Sequence, residues 1–426
     1  MNNFYSSRMI RETYSQPDNY LPRWLTPLLQ QTLNEIPVLV LTGARQVGKS
    51  TLLSNEMPFK DFRYLTMDDF DVLNQANEQP DALWSGTDRI ILDEVQKSPN
   101  LLAAVKHEVD RNPGRKKFVL SGSANLLLMK QVSESLAGRA SYHVLHPLTL
   151  GEINQTPPPD LILKILTGEW SDDGLGLNPL PDVLPHLQRG GMPALLRLNS
   201  ESSRVRWWDG YVTTYLERDL RQIAQIDALV DFRRVMELLA LRTGQMLNQS
   251  DLARDAGLSQ PTTHRYLNLL ETTHLFERTP SYATNRTTRL LKAPKAYWSD
   301  TGLAVFLAGY YQLEDLRKSR ELGNFFESFI FHHLRVLTQL MTPPARLFNW
   351  RTQTGLEVDF VLEHGRKVLA IEVKQTNHPG FGDITGLKAF LSDHPNAVGG
   401  LLLHGGAEIR RLGERILAVP WTMVTG

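Results

Sequence analysis

Cysteine is absent from all 426 residues. That excludes disulfides, thiolate zinc sites and a cysteine nucleophile, and it is compatible with a cytoplasmic protein. No apolar run approaches the roughly 18 residues that a membrane span needs, so no membrane association is expected. The stretch Met1 to Gln31 mixes charge and polarity and lacks the apolar core of a signal peptide. Net charge is missing too, because 46 Lys and Arg balance 46 Asp and Glu. The chain as a whole therefore has no general attraction for nucleic acid, and any basic surface must be local. Apolar residues are not scarce. At 42% of the chain they suffice for sizeable cores, and a chain of this length holds roughly two to four domains.

Residues 38–51 read Val-Leu-Val-Leu-Thr-Gly-Ala-Arg-Gln-Val-Gly-Lys-Ser-Thr. An apolar, β-branched run leads into Gly-x-x-x-x-Gly-Lys-Ser, and a helix can open after it. That is the context of a phosphate-binding P-loop. Gly43 and Gly48 permit backbone angles closed to other residues, so the N–H groups of Ala44, Arg45, Gln46, Val47, Gly48, Lys49, Ser50 and Thr51 can converge on phosphate. The positive end of the following helix points at the same anion. Lys49 adds a full charge between the β- and γ-phosphates of ATP, and the Ser50 hydroxyl is placed to hold Mg²⁺.

Residues 89–96, Arg-Ile-Ile-Leu-Asp-Glu-Val-Gln, read as a buried strand with two carboxylates where it emerges. In a parallel sheet, ligands sit at the carboxyl ends of strands. Asp93 is then a Mg²⁺-holding residue and Glu94 the group that polarises the attacking water. A third strand, Lys117–Leu120, runs into Ser121-Gly122-Ser123-Ala124-Asn125. Ser123 and Asn125 can sense the γ-phosphate, or cap the helix that begins at Leu126.

Residues 36 to about 150 alternate short apolar runs (Val38–Thr42, Phe62–Thr66, Ile90–Leu92, Phe118–Leu120, Tyr142–Leu145) with helical patterns. This is the α/β signature of a parallel sheet covered on both faces. Pro157-Pro158-Pro159 and the Asp/Gly stretch 172–176 mark a linker. The expected organisation is an N-terminal arm and P-loop core over 1–155, a linker and helical lid over 156–230, a winged helix over 231–300 and a C-terminal α/β domain over 301–426.

The combination Gly-x-Arg-Gln-Val-Gly-Lys-Ser, Leu-Asp-Glu-Val-Gln and Ser-Gly-Ser, with Ser135-Leu136-Ala137-Gly138-Arg139, Pro147-Leu148-Thr149 and Gly190-Gly191-Met192-Pro193, resembles a group of prokaryotic AAA+-type ATPases. In that group a C-terminal domain of formally unknown function follows the ATPase. The group is similar to archaeal-type and signal-transduction ATPases. The resemblance implies ATP and Mg²⁺ as cofactors and a homo-oligomer, with a hexamer among the forms such ATPases take. It places Arg139 as an arginine finger reaching a neighbouring subunit's γ-phosphate, where a planar guanidinium suits the spread charge. It places Pro193 in an element that packs near the nucleotide.

Residues 231–298 hold ten Lys/Arg against six Asp/Glu, a local balance of +4. A capped helix start at Leu247–Ala253, a turn at Ala256–Ser259 and a second helix through His264, Arg265 and Leu270 read as a winged helix. Leu275–Arg278 and Thr288–Leu291 are its expected wing strands. Thr262, Thr263, His264 and Arg265 would then meet the DNA major groove, with Arg286 and Arg289 on phosphate. A module that packs on protein is the other reading.

The last third carries a second constellation. Glu327 lies in an apolar-patterned helix, Gly323–Leu340. Leu356–Leu362 is an alternating strand bearing Asp359, and Leu369–Lys374 is the next, with a turn at His364-Gly365. Alternation puts Glu372 and Lys374 on one face. Asp359 and Glu372, with a backbone carbonyl, can hold Mg²⁺ or Mn²⁺; Lys374 can position or deprotonate a water, and Glu327 can hold a second ion. The set and its α-β-β-β-α-β order resemble the PD-(D/E)xK nuclease core, with a non-cutting platform as the alternative. Taken together, these readings predict a Mg²⁺-dependent AAA+-type ATPase that binds and remodels DNA. A nucleotide-switched scaffold that binds proteins is the rival.

Overall fold

Five runs of four or five residues build the first sheet, the central three rich in Val, Ile and Leu. β1 (Val38–Thr42), β2 (Arg63–Thr66), β3 (Arg89–Asp93), β4 (Lys117–Ser121) and β5 (Ala140–Val144) pair in parallel in the order β2-β3-β4-β1-β5. The computed structural model describes residues 20–122, 136–170, 180–214, 228–285, 287, 289 and 292–426. The central strands are buried along almost their whole length, as a sheet covered on both faces requires. Val38, Val40, Ile90, Leu92, Phe118 and Leu120 pack on one side against Leu101, Leu102 and Val105 of the helix Asn100–Arg111. Because β4 lies between β1 and β3, the carboxyl ends of three strands stand side by side: Leu41 is in register with Ser121, and Leu92 with Leu120.

Two compact units make up the chain. One runs to Leu148 and includes Thr272–His274; the other comprises Thr149–Glu271 and Leu275–Gly426. The main stretch of the first unit ends at Leu148, just before a locally built helix start. Thr149 and Glu152 close a capping box that starts the helix Leu150–Asn154, and that helix is tied to distant parts of the second unit. The Leu150 N–H donates to His333 Nε2 at 2.9 Å and the Gly151 N–H to the Thr425 carbonyl at 2.8 Å.

Within the second unit, the helix Leu229–Ala240, β6 (Gln245–Met246), the helices Gln249–Ala256 and Gln260–Thr272, β7 (Phe276–Thr279) and β8 (Lys295–Trp298) follow one another. The strands form an antiparallel sheet in the order β6-β8-β7. Asn248 caps the second helix through the Ser250 and Asp251 N–H groups, and Gly257 closes it in the left-handed region at φ 69°. Ser259 Oγ accepts from the Thr262 N–H at the start of the third. β7 pairs with β8, and of the expected wing strand Thr288–Leu291 only Arg289 lies among the described residues.

The rest follows the expected α-β-β-β-α-β order: the helix Leu322–Leu340, β9 (Arg346–Arg351), β10 (Glu357–His364), β11 (Lys367–Lys374), the helix Thr385–Asp393 and β12 (Gly399–His404). β13 (Arg410–Gly413) and β14 (Ile416–Pro420) extend the sheet to β13-β14-β12-β11-β10-β9. Its core includes Phe348, Trp350, Val358, Val361, Leu387, Phe390 and Leu402. Among the described residues no helix is long and apolar enough to cross a membrane.

Candidate active site

The loop between β1 and the helix Lys49–Asn55 is built on two glycines that no other residue replaces without strain. Gly43 stands at φ 143° and Gly48 at φ 100°. A Cβ on Gly43 would lie 2.3 Å from the Leu145 carbonyl oxygen. Gln46 also takes a left-handed conformation, at φ 64°, and with Arg45 it is exposed, while Ala44 and Val47 are buried beneath the loop. Lys49 is buried and turns back on its own loop, donating to the Gly43 carbonyl at 3.0 Å and the Ala44 carbonyl at 2.9 Å. Burial lowers its pKa to about 8, against the opposing pull of Glu94 and Asp93.

Asp93 ends β3 beside this loop. Its Oδ2 accepts from Ser50 Oγ at 2.7 Å and from the Tyr64 hydroxyl, and its Oδ1 from the Glu94 N–H at 3.0 Å. A hydroxyl and a buried carboxylate oxygen placed together are a hard-oxygen pair of the kind Mg²⁺ takes, so the residues fit that ion. Glu94 follows in a left-handed conformation at φ 54°, and its Oε2 accepts from the Gln96 amide. Burial, and then the Asp93 charge, raise the Glu94 pKa, which moves the group toward the basicity of a general base at neutral pH. The Ser121 hydroxyl, at the end of β4, is buried without a hydrogen-bond partner among the described residues.

Two supporting residues escaped the motif reading. Tyr64 comes from β2, next to β3, and holds Asp93. Arg23 is buried; its guanidinium donates to the Val47 carbonyl inside the loop at 2.9 Å and to the His146 carbonyl at 2.6 Å. Its backbone N–H donates to Glu56 Oε1 at 2.8 Å. Nothing in the local pattern of residues 20–23 announces either contact. Arg23→Ala should cost about 1.5–3 kcal/mol, the range for hydrogen bonds to a charged group, read from urea unfolding. A loss below about 0.5 kcal/mol, the size of an ordinary surface substitution, would mean that these carbonyls do not depend on the guanidinium.

The other expected site residues are placed as follows. Ser123, Asn125 and Arg286 lie outside the described residues. Arg139 stands at the start of β5, half-exposed, and holds Asp110 with two nitrogens, the Nη2–Oδ2 distance being 2.9 Å. Pro193 begins a short helical turn, Pro193–Arg197. The glycines before it answer to Asp300, whose Oδ2 accepts from the Gly191 N–H at 2.8 Å; a Cβ on Gly190 would collide with that carboxylate. Arg265 is exposed on the helix Gln260–Thr272. Arg289, expected on phosphate, is instead buried. It makes two 2.9 Å bonds to Glu363 and lies over the rings of Tyr282 and Phe348 at 4.4 and 4.7 Å. A guanidinium so paired and covered is not available to DNA.

The second constellation does converge, with an addition. Asp359 sits where β10 shifts register against β9, between Val358 and Val361; such bulges re-aim a side chain. Its Oδ2 accepts from the Val373 N–H at 2.9 Å. Lys374 Nζ donates to Glu372 Oε1 at 2.6 Å. Lys295, from β8, inserts between the other two acids, 2.9 Å from Glu327 Oε1 and 3.0 Å from Asp359 Oδ1. The Tyr297 hydroxyl adds a 2.5 Å bond to Glu327. Burial, and then the charge of Asp359, raise the pKa of both Glu327 and Glu372. Burial pulls Lys295 the other way, but Glu327, Tyr297 and Asp359 outweigh it and hold the ammonium charged. An ammonium therefore stands between Glu327 and Asp359, two of the carboxylates expected to hold metal. No group of three or more acidic, His or Cys residues among the described residues is arranged to hold a metal ion.

Residues 35–154 match the AAA domain family, and residues 181–314 and 322–424 match two domains of unknown function, DUF8612 and DUF4143. Uncharacterized protein Rv2008c of Mycobacterium tuberculosis and Uncharacterized protein Mb2031c of Mycobacterium bovis are each 31% identical to the chain over 353 residues, 82% of this chain and 73% of theirs. Among solved structures, a Walker-type ATPase of Pyrococcus abyssi aligns with 69% of this chain and 97% of its own at 17% identity and a TM-score of 0.43. A RuvB variant of Thermotoga maritima aligns with 64% and 92% at 17% identity and a TM-score of 0.28.

Proposed function

This chain belongs to the family of the mycobacterial proteins Rv2008c and Mb2031c and carries a P-loop domain of the AAA type, and from that premise we propose that it hydrolyses ATP with Mg²⁺ and uses the cycle to remodel DNA, branched DNA included. The observation that carries the hydrolysis is the 2.7 Å contact of Ser50 with Asp93, with Glu94 the next residue and Lys49 buried in the adjoining loop. The loop N–H groups and Lys49 bind the phosphates. Ser50 and Asp93 would hold Mg²⁺, which would supply charge neutralisation at the phosphates. Glu94 orients the water and takes its proton as the water attacks the γ-phosphate; Tyr64 and the Glu94 N–H keep Asp93 turned toward Ser50.

The DNA reading rests on the helix Gln260–Thr272. Its first turns expose Pro261, His264 and Arg265, with Thr262 half-buried beside them, and its N-terminus favours phosphate. A specific observation favours the rival reading, a nucleotide-switched scaffold for proteins. Of the ten basic residues in 231–298, seven are ion-paired: Arg233, Arg234, Arg242, Arg254, Arg278, Arg289 and Lys295. The local excess of positive charge is thus largely spent on internal acids, leaving Arg265 and Lys292 as described, exposed cations without such a pair. ATP turnover measured with and without duplex, forked and four-way-junction DNA separates the two. Stimulation by DNA supports remodelling, and nucleotide-dependent assembly with no stimulation supports the scaffold. If DNA is the partner, Arg265→Ala should weaken binding at every sequence and reduce the salt slope by about one contact. An unchanged slope would move the contact elsewhere.

The C-terminal sheet is read as nuclease-like in its element order and acting as a platform rather than a cutter, so wild type should leave linear DNA intact with Mg²⁺ or Mn²⁺. For the oligomer, the reading gives Arg139 to a neighbour's γ-phosphate once it leaves Asp110. A mixture of Glu94→Gln and Arg139→Ala proteins should then regain turnover that neither shows alone. Full activity of Arg139→Ala in a protein that stays monomeric with ATP would rule that arrangement out.

A further inference from the structure

The acids of the second unit pose a problem of charge. Glu327, Asp359 and Glu372 are each more than nine-tenths buried. With all three ionised, these carboxylates outnumber the two ammonium groups, Lys295 and Lys374, by one charge. The deficit has an address: Glu372 Oε2 is buried and has no hydrogen-bond partner among the described residues. A buried carboxylate oxygen without a partner is costly, and buried charges are ordinarily paired or bound to a metal. Glu372 stands one register step beyond the Phe360–Ile371 pair, on the strand facing Asp359. The oxygens of Glu327 and Asp359 that would complete a hard-cation site both point at the Lys295 ammonium, at 2.9 and 3.0 Å. With the three acids ionised, a divalent ion in place of that ammonium would bring the set to zero formal charge.

Lys295 does not come from the acids' own sheet. It opens β8, which pairs only with β6 and β7 among the described strands. The plug and the socket thus sit on different sheets of the same unit. We propose that Lys295 is a built-in cation that closes a Mg²⁺- or Mn²⁺-type position among Glu327, Asp359 and Glu372, and that this unit takes up a divalent metal there only when the ammonium is withdrawn. The inference concerns the second unit alone and does not depend on ATP hydrolysis or on DNA.

Full-length protein without nucleotide is titrated with Mn²⁺ and the free ion followed by electron paramagnetic resonance. Wild type should show no Mn²⁺ site that Asp359→Asn removes. Lys295→Gln should gain one such site per chain, lost again in the Lys295→Gln/Asp359→Asn double variant, and its thermal midpoint should rise with Mn²⁺ while that of wild type does not. An Asp359-dependent Mn²⁺ site in wild type would overturn the proposal, since the ammonium would then close nothing. A folded Lys295→Gln protein with no added site would overturn it equally. Should Lys295→Gln fail to fold, it is refolded in millimolar Mn²⁺ and, in parallel, in chelator. Recovery only with the metal is the expected result, and failure in both sinks the idea.

Discussion

Glu94→Gln is expected to bind ATP as wild type does and to hydrolyse it roughly 10²–10⁴-fold more slowly, the usual contribution of a positioned general base. The amide keeps the size of the side chain and can still accept from Gln96 with its oxygen, so the left-handed turn after β3 has no reason to move. What it loses is the ability to take a proton from water. Nucleotide affinity measured by fluorescence and turnover measured by phosphate release would separate the two effects. Turnover persisting within a few-fold of wild type would remove Glu94 from the chemistry and leave its burial beside Asp93 without a role. The same carboxylate sets a pH limb. Its pKa is raised above the ordinary 4.5 by burial and by Asp93, and its charged form is the active one. Turnover should therefore fall on acidification at a pH above 4.5, and that limb should vanish in Glu94→Gln.

The second large effect belongs to Lys49. Truncating one partner of a buried charge pair costs about 3 kcal/mol, so Lys49→Ala should weaken ATP binding roughly hundredfold. In the free protein the ammonium donates to the carbonyls of Gly43 and Ala44, and burial, against the pull of Glu94 and Asp93, brings its pKa to about 8. Phosphate beside it favours the charged form and raises that value. The sign follows from linkage. Below about pH 8 the group is charged both free and bound, and affinity is level; above it, binding must take up a proton, and affinity falls by up to about tenfold per pH unit. Calorimetry across this range in buffers of different ionisation heat should show proton uptake in wild type and none in Lys49→Ala. A flat profile in wild type would mean that Lys49 is not the phosphate's partner.

The parts of the site legible in the sequence are those whose geometry is local. The loop from Gly43 to Ser50 encodes its own turn through two glycines, and the strands before it and before Asp93 announce themselves as apolar runs. What stayed hidden depends on residues distant in the chain. Tyr64 reaches Asp93 across 29 positions and Lys295 reaches Asp359 across 64, and no periodicity encodes either approach. Arg289 was misread for the same reason. A charge count over 231–298 cannot see Glu363, 74 positions away, so it credits to a DNA surface a cation that is folded inward. The C-terminal acids were found, since strand alternation puts Glu372 and Lys374 on one face, but their counter-ion was not.

The contact between Gly43 and Leu145 has a mechanical side. The Leu145 N–H donates to the Thr42 carbonyl at 2.8 Å, and the Leu145 carbonyl lies where a side chain on Gly43 would be. The end of β5 and the root of the phosphate loop are thus bolted together with no slack between them. β5 itself is five residues, about 16 Å of extended backbone, paired along its length with β1, and Arg139 sits at its far end. Such a strand is a stiff rod without a joint. A pull on the Arg139 end is delivered to the loop root instead of being absorbed on the way, whereas a side chain at position 43 would pry the rod from its socket and uncouple the two ends.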